Sequence, residues 1–102
     1  MKTVVDNKYY EISDFWGNKM PMMAMEEAGE FIQAISKVER ANKRTMAYPH
    51  AIENLMEEMA DVMIAIQALL ARYDLNPDDI QELIDKKTSE EYDKEEIIEE
   101  DF

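Results

Sequence analysis

Asp61 is the only charged residue in an otherwise apolar stretch running from Met59 to Ala71. An ionised carboxylate in such a stretch is costly unless a cation or a hydrogen-bond donor meets it. The residues around it also occur twice. Glu57-Glu58-Met59-Ala60-Asp61 repeats Glu26-Glu27-Ala28-Gly29-Glu30 at a constant offset of 31, and Met25/Met56, Ala34/Ala65 and Ile35/Ile66 match at that same offset. Apolar positions around both copies recur in steps of three and four, which predicts a helix for each. Acids three apart project from one side of a helix, so Glu27 pairs with Glu30, and Glu58 with Asp61. Two such helices packed side by side bring at least four carboxylates together. Hard oxygen ligands of this kind suit Mg²⁺, and Mn²⁺ accepts the same set.

Solvated acids on a helix surface are the plain alternative, since most Glu residues are exposed. That alternative leaves the duplication and the isolated Asp61 unexplained. Other metal chemistries fit less well. The chain has no Cys, and its one histidine, His50, has no Glu three residues before it. A zinc site wants His and Cys ligands, and a carboxylate di-iron bundle wants a Glu-x-x-His pair.

The spacing predicts a helix from about Pro21 to Lys43, with Met22, Met25, Ala28, Phe31, Ile32, Ile35 and Val38 on its apolar face. Pro suits the first turn of a helix, and basic residues suit its last turns. Arg44 to Pro49 reads as a loop, and a second helix runs from about His50 to Tyr73. Its latter half is apolar nearly all round, as in a helix enclosed by partners on several sides. A single chain of 102 residues has few helices with which to enclose it. The core is therefore expected to be completed by a homodimer or homotetramer. Asn76-Pro77-Asp78-Asp79 is a strong start for a third helix. Ahead of these, Ser13 or Asp14 is expected to cap a first turn holding Phe15 and Trp16, with Gly17-Asn18 as a break.

The expected fold is all-α, a bundle of three to four helices over residues 1–92. Two Gly and three Pro leave few places for the turns that an all-β chain would need. Residues 93–102 are rich in Glu and Asp and read as a solvated or disordered acidic tail. The net charge of −13 argues against nonspecific nucleic-acid binding. No apolar run is long enough to span a bilayer, and the N-terminus lacks the apolar stretch of a signal peptide. A cytoplasmic protein is the default.

E-E-x-x-E, a spacer, then E-x-x-D, with the flanks Met25 to Lys37 and Glu53 to Val62, resembles the signature of the MazG-like nucleoside triphosphate pyrophosphohydrolases. These belong to the all-α NTP pyrophosphatase superfamily. The resemblance covers about residues 15 to 88. It implies that Glu27, Glu30, Glu58 and Asp61 bind Mg²⁺. It also implies hydrolysis of a (d)NTP between the α- and β-phosphates, giving a nucleoside monophosphate and pyrophosphate. Glu26 and Glu57 would stand behind the ligands or act as base for the attacking water. Relatives place a Lys in the third helix to meet phosphates, which Lys87 or Lys86 matches. The later basic position of that helix falls here among Glu90, Glu91 and Asp93.

Lys37, Arg40, Lys43 and Arg44 could supply the missing positive charge, or serve only the helix dipole. Trp16 could stack on a base, although a Trp near a helix start also suits core or interface. His50 reads as a loop or cap residue. Two rival functions remain: an acidic interaction module that mimics nucleic acid, and a catalytically weak relative that senses nucleotides. A mimic needs its acids spread over an exposed face.

Overall fold

A computed structural model describes residues 6–100, with side chains through Lys94. The described residues are all-α. They form α1 (Asn7–Trp16), a 3-10 turn (Gly17–Lys19), α2 (Met20–Arg40), α3 (Ala47–Arg72) and α4 (Pro77–Glu100). No strand occurs among them, and none of their helices is long and apolar enough to cross a membrane. Two compact units divide the chain between Asp74 and Leu75. The first holds α1 to α3, the second α4.

α1 begins earlier than the sequence suggests. Its cap is Asp6, whose side chain accepts a hydrogen bond from the Lys8 backbone at 3.0 Å. Ser13, expected as a possible cap, is instead a buried residue inside the helix. The weak apolar patterning of residues 6–12 hid a helix whose start is fixed by a single capping carboxylate. Gly17 then ends α1 with φ 56° and ψ −133°, a conformation that only glycine adopts without strain. The Gly17 carbonyl accepts a hydrogen bond from Arg72 Nη1 at 2.8 Å. This contact ties the α1–α2 junction to the far end of α3.

α2 opens with Pro21 in its first turn and closes at Arg40, where Ala41 turns to an extended conformation. The connection to α3 is short and knitted by its own polar groups. The Asn42 side chain accepts from the Arg44 backbone at 2.9 Å, and the Thr45 hydroxyl donates to the Asn42 carbonyl at 2.9 Å. α3 starts at Ala47, three residues ahead of the expected His50. Pro49 does not block it, because the first-turn N–H groups have no partner within the helix in any case.

α2 and α3 form an antiparallel hairpin, with α1 laid against α3. The core of this unit is small. Its buried apolar residues are Met20, Ala34, Ala65, Ala68, Leu70 and Ala71. Four of those six are alanines, which let the helices approach closely but bury little apolar area. Met25, Ile32, Met56 and Met63 stay more than 60% exposed in the single chain.

α4 is described by itself. The Asn76 side chain caps it by accepting from the Asp78 backbone at 2.9 Å, and Asp78 and Asp79 occupy its first turn. The helix continues through Glu100, so the acidic residues 93–100 are helical rather than irregular. Glu and Lys are good helix formers, and Lys94 meets Glu91 at 3.2 Å one turn away. Asp101 and Phe102 of the expected tail lie outside the described residues.

Candidate functional site

The α2–α3 hairpin sets the two acidic copies face to face. Carboxylate oxygens of Glu27, Glu58 and Asp61 lie within 4.8 Å of one another. Antiparallel packing explains why these three meet. Glu27 comes from the early part of α2, and Asp61 from beyond the middle of α3. The duplicated spacing thus becomes a shared cluster rather than two separate pairs.

Glu27 and Glu58 are half-buried, and Asp61 is exposed. The Oε2 atoms of Glu27 and Glu58 are both shielded from solvent, and neither has a hydrogen-bond partner. Shielded carboxylate oxygens without partners are uncommon, because each forfeits its hydration for nothing in return. The carboxyl of Glu27 is pushed above its ordinary value, first by burial, then by the charges of Glu30, Asp61 and Glu58. Glu58 is pushed the same way, first by loss of hydration and then by Glu30 and Asp61.

Glu30 is therefore close to the cluster, although it is exposed and outside the group of three. Glu26 and Glu57 are exposed and also outside it. Glu57 reaches the cluster only as a weak charge acting on Glu58. Trp16 is half-buried and lines a pocket of about 460 Å³ with Phe15, Ile12 and Ile64. Ile64 lies one helical turn beyond Asp61 on α3, and none of the clustered carboxylates lines this pocket. Lys37 lines a different cleft, at the loop end of the hairpin, together with Arg40, His50 and Asn54. Lys87 lies on α4, in the other compact unit.

The meeting of His50 and Asn54 with Lys37 and Arg40 was not read from the sequence. The signal for it was present. Residues at the end of one helix and the start of the next must meet when the loop between them is short.

The donor set can hold a divalent ion. Three carboxylates converge, two of them carry a shielded oxygen without a partner, and mutual repulsion needs a cation to offset it. Stability in the metal-free state follows from the same repulsion. A folded state with raised carboxyl pKa values binds more protons than the unfolded chain above the ordinary Glu value of about 4.3. Stability must therefore fall as pH rises through the window between the unfolded and folded values. Denaturant titrations in EDTA are expected to show that decline, and Asp61→Asn to flatten it. Added Mg²⁺ or Mn²⁺ should raise the melting temperature of the native protein, and raise that of the variant less. Melting curves of both proteins that ignore the ions would rule out a shared site.

A sequence model of phosphoribosyl-ATP pyrophosphohydrolases matches residues 6–88. No curated protein and no solved structure matches the chain. The match supports the all-α NTP pyrophosphatase superfamily that the resemblance implied, without singling out its MazG-like branch. It spans α1, α2 and α3 and the first part of α4, so both acidic copies fall inside it. Acidic helices that converge on one cluster, within a match of this length, are those of a nucleotide pyrophosphohydrolase, and the chain belongs to the phosphoribosyl-ATP pyrophosphohydrolase family.

Proposed function

We propose that the protein hydrolyses a nucleoside triphosphate to a monophosphate and pyrophosphate, dependent on Mg²⁺ or Mn²⁺, in the cytoplasm. The observation that supports this most is the convergence of Glu27, Glu58 and Asp61, with two shielded oxygens that have no partner. Glu30 would complete the ligand set. A divalent ion held there would offset charge on the phosphates and polarise a phosphoryl oxygen.

The chain's own residues do the rest. Glu27, Glu30, Glu58 and Asp61 bring carboxylates to the triphosphate in one place, and their mutual repulsion makes the site tight for a cation. Glu26 or Glu57 takes the proton of the attacking water. The water oxygen bonds to the α-phosphorus. The bond from that phosphorus to its bridging oxygen breaks, and the oxygen leaves with pyrophosphate. Trp16 and its apolar pocket offer a face on which a base stacks. Lys37 meets phosphate oxygens. Lys87, on α4, is a phosphate contact on the resemblance alone.

The triphosphate is common to (d)NTPs and to phosphoribosyl-ATP, so the carboxylates do not choose among them. Substrate choice belongs to the surfaces around the cluster. We also propose that the active form is a homodimer or homotetramer, since the exposed apolar residues of α2 and α3 require cover.

The test combines a substrate screen with an isotope. Canonical and modified NTPs and phosphoribosyl-ATP are assayed for pyrophosphate release, and the best substrate is hydrolysed in ¹⁸O-water. Attack at the α-phosphorus places the label in the monophosphate. Label in pyrophosphate would mean β-attack and overturn the mechanism. Absence of turnover with every nucleotide would favour a sensing role or an acidic interaction module.

A further inference from the structure

Toward the α2–α3 connection, the hairpin holds a cleft of about 400 Å³. Small side chains at Ala47 and Ala51 leave the space, and Lys37, Arg40, His50 and Asn54 also line it. Two cations of α2 thus stand at one cleft of a chain whose net charge is −13. Among the described residues, neither Lys37 nor Arg40 has a carboxylate within 4.0 Å. Arg40 uses Nε on the Ser36 carbonyl of its own helix at 3.3 Å, a bond that does not involve its two terminal nitrogens. The nearest acid to the His50 ring is Glu53, at 4.0 Å. Two cations from one helix therefore face polar groups of the next across an open space.

Complementing the dipole of α2 would account for Lys37 and Arg40, which lie near its C-terminus. It does not account for His50 and Asn54, which come from α3 and face the same space. The first turn of α3 also borders the cleft at Ala47 and adds the partial positive charge of a helix start. Most of the cleft's wall is apolar, with Ala41, Ala47 and Ala51 among its residues. Its polar part brings together cations, neutral donors and a helix N-terminus, which suit a phosphate group.

The distance from the carboxylates decides which phosphate. Lys37 lies seven residues beyond Glu30 on the same face of α2, about 10 Å along the axis. Asn54 lies four residues before Glu58 on α3, about 6 Å along the axis. Side chains on a helix lean toward its N-terminus, so Lys37 leans back toward Glu30. A triphosphate engaged at the carboxylates through its α-phosphate reaches the cleft with its terminal phosphates.

We propose that this cleft is the subsite for the leaving pyrophosphate, with Lys37 and Arg40 as its charged contacts and His50 and Asn54 as further donors. The assignment rests on the pyrophosphohydrolase reading. It adds a role for three residues outside the carboxylate cluster. Charge on the leaving oxygen grows as its bond to the α-phosphorus breaks, and Arg40 suits it because a guanidinium meets phosphate in a two-pronged fashion.

Calorimetric titration of the full chain with inorganic pyrophosphate, in the presence of Mg²⁺, tests the assignment without turnover. Lys37→Ala and Arg40→Ala should each weaken pyrophosphate binding about tenfold, the scale of one lost charged hydrogen bond. Arg40→Lys should restore part of that loss. Lys19→Ala, an equal change of charge elsewhere on the unit, should have no such effect. Mg²⁺-dependent melting should be unchanged in all four, which shows that they are folded and bind the ion. Ribose 5-phosphate is titrated in parallel. Loss of its binding with pyrophosphate binding intact would give the cleft to a sugar phosphate and overturn the assignment. So would pyrophosphate affinities within threefold of wild type, an equal loss in Lys19→Ala, or a wild-type protein that binds no pyrophosphate. A protein that binds pyrophosphate through Lys37 and Arg40 yet hydrolyses no nucleotide would sink the hydrolase reading and keep the subsite.

Discussion

Glu58→Gln and Glu30→Gln should each lower kcat by roughly a hundredfold or more, the scale seen when one preorganised electrostatic group is lost. Each substitution keeps the shape of the side chain and removes its charge. The two differ in what they leave behind. Glu58 has a shielded oxygen without a partner, and an amide there still has no acceptor or donor to meet. Glu30 is exposed, and after burial its charge is the next cause that raises the carboxyls of both Glu27 and Glu58. Glu30→Gln should therefore also stabilise the metal-free protein at neutral pH, where wild type carries the repulsion. Kinetics at several metal concentrations separate lost metal affinity from lost chemistry. A kcat within a few-fold of wild type for both variants, at saturating metal, would remove these residues from the reaction.

Ile32→Asp and Met63→Asp should abolish assembly and lower the melting temperature by roughly 10 °C or more. The contrast with an isolated chain makes the effect informative. In the single chain both side chains are largely exposed, Ile32 by 66% and Met63 by 65%, and surface substitutions usually change stability by about 0.5 kcal/mol or less. In a subunit contact the same change forfeits roughly 1.5–3 kcal/mol of apolar burial per side chain and adds an unpaired charge. Sedimentation at low micromolar concentration should show wild type as a dimer or tetramer. A well-folded monomer, unmoved by either substitution, would mean that the six buried apolar residues suffice.

Periodicity made α2, α3 and the start of α4 legible, because their apolar residues recur at helical steps. The duplicated acids made the cluster legible before any packing was known. Three things were hidden, each for a physical reason. Asp6 caps α1 through one side-chain contact, which leaves no periodic trace in the residues that follow. Pro49 suggested a later start for α3, although a first turn tolerates proline. Residues 93–100 looked too acidic to fold, yet a helix there needs only local hydrogen bonds and good helix formers. The gathering of Lys37, Arg40, His50 and Asn54 depends on the pairing of two helices, and no window along a single helix contains it.

The acidic pattern occurs once on each helix of the hairpin, and the offset of 31 pairs Glu27 with Glu58 and Glu30 with Asp61. A cluster built from two such copies presents similar carboxylates to a phosphate chain laid across it in either direction. By itself it cannot tell the nucleoside end from the terminal end, and so cannot choose which anhydride bond to break. The flanks of the two copies differ. The same offset pairs Lys37 with Ala68 and Arg40 with Ala71, both alanines buried, so only the first copy is followed by positive charge at these positions. Under the proposed function, the polarity of the substrate is thus set by what surrounds the acids. Exchanging the character of the two flanks, rather than altering the acids, is the change that would reverse it.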